Sequence, residues 1–173
     1  MKGFQVGQLC AIQPTIFCGK CNACDAGAPN VCSSGGFVGL SGGGGGLSDA
    51  VCVNATHVLP LPDGVSLDIG ALVEPLAVAW HATTAAPKMG PDTFVLVIGG
   101  GPIGLAMILC LKAQGVKNIF VSEVASSRQK FAKAFGAVRV IDPSKEDARA
   151  IVLDATARKG ADVAFDCAGV PAR

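Results

Sequence analysis

Four cysteines, Cys18, Cys21, Cys24 and Cys32, fall within the segment CGKCNACDAGAPNVC with spacing C-x2-C-x2-C-x7-C. The segment is rich in Gly, Asn and Asp and has little apolar material of its own, so four thiols this close do not pack as a core. A tetrahedral zinc held by all four would neutralise the thiolates and fix the loop, and with no open coordination position it would be structural. The opening C-x2-C-x2-C also begins the bacterial ferredoxin run. Here the fourth cysteine follows after seven residues and precedes Ser33, not proline. The spacing favours zinc, with an iron-sulfur cluster and free surface thiols as alternatives.

A second group with chemistry is Gly99, Gly101 and Gly104, a G-x-G-x-x-G match in VIGGGPIGL. Pro102 and Ile103 open the helix that follows. The first glycine permits a tight turn, the second lets backbone N–H groups approach a pyrophosphate, and the third lets helix pack closely on strand. The helix N-terminus then presents unpaired donors and a partial positive charge. Glu123 lies 19 residues beyond Gly104, where a carboxylate at the end of the next strand accepts from ribose hydroxyls and repels a 2'-phosphate, favouring NAD over NADP. Arg128, in the first turn of the next helix, is a candidate for the adenine or ribose end. The bland alternatives are a turn that only packs and a solvated arginine.

Glu74 is the only charged residue between Asp68 and Lys88. A carboxylate in such apolar company is expected to be ion-paired, protonated or metal-bound; as an alternative of equal weight, Glu74 before Pro75 caps a helix turn. His81 is read as a core histidine and His57 as a strand-surface one. The remaining cysteines, Cys10, Cys52, Cys110 and Cys167, lie singly among apolar residues and read as small hydrophobes.

These groups need elements to hold them. Phe94 to Ile98 is a short, unbroken, β-branched run, the pattern of a parallel strand buried on both faces. A helix to Ala113, a strand over Asn118 to Val121, a helix from a Ser126/Gln129 capping box to Phe135, a strand over Val138 to Ile141, a helix opened by Ser144 and Asp147, and a strand over Val163 to Cys167 follow. This alternation predicts a doubly wound parallel sheet, entered at its first strand and cut off after its fourth. Earlier, strands are expected over Val6 to Gln13, Asp49 to Asn54 and Thr56 to Leu59. Gly35 to Leu47, with eight glycines, reads as a mobile loop, and Asp68 to Ala86 as a helical stretch interrupted at Pro75. Pro87 to Pro91 reads as a linker, giving domains 1–86 and 92–173 with the cysteine lobe at 18–32. Thr93 to Leu111 lacks charge for 19 positions, long enough to span a membrane, but Gly99-Gly100-Gly101-Pro102 would break such a helix.

Half of the 173 residues are hydrophobic, 16% are charged, and the formal charge is +1. That composition argues against global disorder and against a nucleic-acid partner. The start lacks the features of a secretory signal, so eight cysteines point to a reducing compartment, the cytoplasm, and to metal ligation.

Taken in order, CGKCNACDAGAPNVC, GALVEPLAVAWHA, VIGGGPIGL and a strand ending in SE resemble the zinc-containing medium-chain dehydrogenase/reductases, and ALVEPLAVAWHA is most similar to their butanediol and polyol (sorbitol-type) branch. The resemblance covers essentially the whole chain. It implies an α/β protein: a partial GroES-like β domain with a four-cysteine zinc lobe, then a truncated Rossmann doubly wound parallel sheet. It implies structural zinc on Cys18, Cys21, Cys24 and Cys32, NAD on Gly99, Gly101, Gly104 and Glu123, and Glu74 at the position facing a catalytic zinc. The implied reaction is reversible NAD-linked oxidation of a secondary alcohol or vicinal diol, in a homo-oligomer. The catalytic cysteine and Gly-His-Glu that family members carry upstream have no counterpart here, and the chain stops after the fourth sheet strand. The alternative expectation is therefore a catalytically inactive truncated fragment that retains structural zinc and NAD binding.

Overall fold

The computed structural model describes residues 3–41 and 44–169. Its contacts divide the chain into two compact units, Met1–Val73 and Glu74–Arg173.

The first unit is built from short pieces. Strand β1 (Cys10–Ile12) pairs antiparallel with β4 (Val58–Pro60), and β2 (Thr15–Ile16) with β3 (Gly36–Phe37). Between β2 and β3 lie a four-residue helix, α1 (Asn22–Asp25), and a 3-10 turn over Pro29–Val31. A further helix, α2 (Leu67–Gly70), is capped by the Ser66 hydroxyl, which accepts from the Ile69 N–H. The strands expected over Val6 to Gln13 and Asp49 to Asn54 shrink or vanish. Val6 lies in a turn with its side chain fully exposed, and Asp49 to Asn54 has no regular partner. Asn54 accepts from the Thr56 N–H and opens a 3-10 turn over Ala55–His57, which displaces the first half of the third expected strand, while Val58 and Leu59 remain in β4. Asn and Thr offer the backbone such local bonds in place of a ladder. The glycine-rich stretch contributes β3 to a sheet; its residues 42 and 43 lie outside the described residues.

The second unit carries the core. Helix α3 (Val73–Ala85) precedes strand β5 (Phe94–Ile98), helix α4 (Pro102–Ala113), β6 (Asn118–Ser122), α5 (Ser126–Phe135), β7 (Arg139–Ile141), α6 (Ala148–Ala155) and β8 (Val163–Asp166). The four strands form one parallel sheet ordered β7-β6-β5-β8. Strand period two explains its two-sided packing: Val95, Val97, Ile119, Val121 and Val140 share a core with Ile108 and Leu111 of α4 and Ala132 of α5. Phe94 and Ile141 pack instead with Val152 of α6. Helices thus cover both faces, as the expected doubly wound sheet requires.

Several local expectations are corrected. The break in the apolar helical stretch falls at Ala71 and Leu72, and Pro75 sits in the first turn of α3, where its missing N–H is tolerated. Helix α3 buries Ala79 and Thr83 and packs Leu76 and Ala82 on the core of the second unit, so the units divide at its start and not at residues 87–91; Met89 of that expected linker is itself buried. Helix α5 starts at Ser126 with Ala125 as its N-cap and no capping box. Helix α6 is capped by Asp147 alone, which accepts from the Ala150 N–H, while Ser144 bonds to Asp142.

Candidate metal centre and dinucleotide site

In the first unit the loop wraps back on itself so that Cys18, Cys21, Cys24 and Cys32 offer sulfur atoms all within 4.8 Å of one another. Cys21 caps α1, Cys24 lies within it, and Cys32 ends the 3-10 turn. The Cys21 Sγ is 3.6 Å from that of Cys24 and 3.8 Å from that of Cys32. Zinc–sulfur bonds of about 2.3 Å in a tetrahedron place sulfurs about 3.8 Å apart, and these distances fit one such ion. The cysteines are not disulfide-bonded.

Backbone donors favour the thiolate form at two of the sulfurs. The N–H groups of Cys24 and Ser33 bring the Cys21 thiol down to about 5. The Cys18 N–H, 3.4 Å from the Cys32 sulfur, lowers Cys32. Burial first, then the neighbouring Cys21 and Cys32 sulfurs, pushes Cys24 up to about 11. Without a metal the cluster resists full ionisation; a divalent ion would remove that conflict.

In the second unit the glycine turn joins β5 to α4. Gly99 has φ 97°, in the left-handed region, and a Cβ there would press on the Cys167 and Ala168 backbone at 2.9 to 3.0 Å. A Cβ on Gly104 would overlap the Gly99 carbonyl oxygen. Gly101 differs: it caps α4 in an extended conformation, with open space where a Cβ would stand. That space is what an approaching phosphate needs, and Pro102 sacrifices no donor at the first helical position.

The turn faces a cleft of about 270 Å³ at the carboxyl ends of β5, β6 and β8, lined by Gly99, Gly101, Glu123, Arg128, Cys167 and other residues. Open α/β sheets bind ligands at this end, where strand order reverses. A larger hollow of about 440 Å³ lies at the opposite end of the sheet, near Phe94 and Asn118, and contains none of the sequence-predicted residues.

Glu123 is buried, at 4% exposure. Its Oε2 accepts from the Gly100 N–H at 2.8 Å, and its Oε1 from the Ala125 N–H at 2.7 Å and from Arg128 at 3.0 Å. Burial pushes the Glu123 carboxyl up, but the Ala125 and Gly100 N–H groups and Arg128 outweigh it and hold the group below its ordinary value. Gln129, in place of closing a capping box with Ser126, donates to the Glu123 carbonyl oxygen at 2.7 Å. Gly100 was not singled out by the sequence, because it lies between the motif glycines; a Cβ there would meet the Glu123 side chain at 3.2 to 3.3 Å.

Glu74 is exposed, in the first turn of α3, without an ion pair or gathered ligand among the described residues. His81 is exposed rather than core. Period-3.6 spacing places a residue on a face but does not say which face is covered. His57 stacks on Phe17 with ring centroids 5.4 Å apart, its Nδ1 3.2 Å from the Gln13 carbonyl oxygen. Cys110 is buried as expected, whereas Cys52 is exposed. No helix among the described residues is long and apolar enough to cross a membrane.

Residues 1–63 match the alcohol dehydrogenase GroES-like domain, and residues 102–173 the zinc-binding dehydrogenase family. The chain is 43% identical to a (R,R)-butanediol dehydrogenase of Saccharomyces cerevisiae over 87% of its length and 40% of the relative's. It is 33% identical to a sorbitol dehydrogenase of Bacillus subtilis over 98% of its length and 48% of the relative's. Two solved structures align on it. One is a short chain alcohol dehydrogenase of Escherichia coli CFT073 complexed with NADH (TM-score 0.87, 31% identity, 99% of this chain and 51% of that one). The other, from Sinorhizobium meliloti 1021, is bound to NADP (TM-score 0.88, 27% identity, 98% of this chain and 50% of that one). The chain spans about half the length of these relatives.

Proposed function

Because the chain belongs to the zinc-containing medium-chain dehydrogenase/reductase family, we propose that it serves an NAD-dependent dehydrogenase acting on a secondary alcohol or vicinal diol, of the butanediol or polyol type. The observation that carries this is the open space at Gly101, at the N-terminus of α4, within one cleft with Glu123.

The residues divide the work. Gly99 and Gly104 bring β5 and α4 together, leaving the first-turn N–H groups of α4, those of Ile103 and Gly104 included, to hold a pyrophosphate. Glu123 accepts from the adenosine ribose hydroxyls, and Arg128 borders the same end of the cleft. The nicotinamide of the bound cofactor supplies the hydride acceptor for alcohol oxidation. Cys18, Cys21, Cys24 and Cys32 would hold a structural zinc that fixes the lobe, and Glu74 is the residue that would face a catalytic zinc.

A second reading, binding of cofactor and structural zinc without turnover, is favoured by one observation: among the described residues Glu74 belongs to no group of three or more His, Cys, Asp or Glu side chains gathered to hold a metal. Calorimetric titration with NAD and NADP, followed by an assay with NAD and butane-2,3-diol, tests both readings. NAD binding tighter than NADP supports the cofactor assignment, and equal affinities would overturn it. Diol-dependent NADH formation favours the enzyme, whereas NAD binding without it favours the second reading.

A further inference from the structure

We infer that Glu123 is a positioning residue for the pyrophosphate turn: its carboxylate clamps the Gly100 N–H and so sets which backbone donors the turn presents to a phosphate. The inference rests on the dinucleotide reading above and adds a task to that carboxylate.

A carboxylate whose only work is to meet a ribose would present free lone pairs to the cleft. Glu123 presents almost none. A carboxylate offers about four lone-pair sites, and the Gly100 N–H, the Ala125 N–H and Arg128 use three. The side chain also runs along the turn, close enough that a Cβ on Gly100 would meet its Cβ and Cγ at 3.2 to 3.3 Å.

The residue before it joins the same arrangement. The Gly99 N–H donates to the Ser122 carbonyl oxygen at 2.8 Å. Consecutive amides of the turn are therefore tied to consecutive residues at the end of β6, one through a main-chain oxygen and one through a side chain. With Gly99 and Gly100 committed inward, the donors left for a ligand are those from Gly101 onward. Glu123 is itself held from behind, since its N–H donates to Ile141 at 2.9 Å and its carbonyl oxygen accepts from Gln129. It links the glycine turn to β7 and to the first turn of α5.

The test compares ADP with 2',3'-dideoxy-ADP, which keeps the adenine and the pyrophosphate and lacks both ribose hydroxyls, by calorimetry on the full chain. If Glu123 only reads ribose, Glu123→Ala leaves the dideoxy ligand's affinity unchanged, or raises it by removing a negative charge near phosphates. Either result overturns the inference. The clamp requires the opposite sign: Glu123→Ala weakens dideoxy-ADP by about tenfold, the size of one charge-assisted hydrogen bond. Glu123→Gln, which keeps one oxygen acceptor, recovers part of that loss. If the wild-type chain binds neither ligand, the dinucleotide reading fails instead, and hydrogen exchange at the Gly100 amide decides the clamp without ligand. Faster exchange in both variants than in the wild type supports it, and equal exchange overturns it.

Discussion

Gly104 lies so close to the Gly99 carbonyl oxygen that a methyl group on it would overlap that oxygen, whereas three residues earlier Gly101 faces open space. The two glycines of one motif therefore stand in different surroundings: Gly104 is fixed by the packing of the folded chain, and Gly101 leaves the space that the proposed phosphate would enter.

Gly104→Ala is expected to destabilise the second unit by about 1–3 kcal/mol, the usual range for forcing an extra methyl into a packed site. Gly101→Ala is expected to change stability by less than about 1 kcal/mol, since its backbone is extended and unobstructed, yet to abolish measurable NAD binding. Urea denaturation beside calorimetric titration separates the two. Loss of stability in Gly101→Ala would show that the space is not kept for a phosphate.

Elemental analysis of the reduced chain is expected to find one zinc held by Cys18, Cys21, Cys24 and Cys32, with four thiols protected from modification. Among the described residues of the first unit no hydrophobic side chain is buried, and its strands form two short antiparallel pairs, an arrangement marginal in water. Chelation, or Cys21→Ser, should therefore release the metal and speed proteolysis within residues 3–41 while leaving the sheet of the second unit intact. Unchanged cleavage after metal removal would argue against a structural role.

Acid should loosen the second unit at the carboxyl ends of its strands. The Glu123 carboxyl is held below its ordinary value against the upward push of burial. Asp142 is held well below the usual carboxylate range by Lys145, 2.8 Å away, and then by Ser144. Both folded values are depressed, so the unfolded chain binds these protons first. Their contribution is complete above the ordinary carboxylate range of about 4 and is lost as pH falls through the folded values. Urea midpoints at pH 7, 4 and 3 should fall in that order, and Glu123→Gln should flatten the fall.

Asp147→Ala is expected to cost about 1 kcal/mol, because its side chain accepts from the Ala150 N–H and is the side-chain cap of α6. Ser144→Ala leaves that bond in place. Thermal unfolding of the two variants checks the assignment, and an equal loss in both would restore Ser144 to the capping role.

The sequence by itself determined the sheet, the order of its helices and the two segments proposed to hold ligands. Those signals are local: an unbroken β-branched run at Phe94–Ile98, cysteines at fixed spacing, glycines ahead of an apolar helix, and an acid at the end of the next strand all follow from residue types a few positions apart. Tertiary structure decided what depends on distant partners. Cys10–Ile12 becomes a strand, and its flanks do not, because Val58–Pro60 pairs with it across the unit. Glu74 and His81 look buried in an apolar stretch but are exposed, since helical spacing does not reveal which face a neighbour covers. Glu123 reads as a free ribose ligand, yet its donors come from the glycine turn 23 residues away and from the following helix; only the packing of β6 beside β5 brings those amides within reach of its carboxylate.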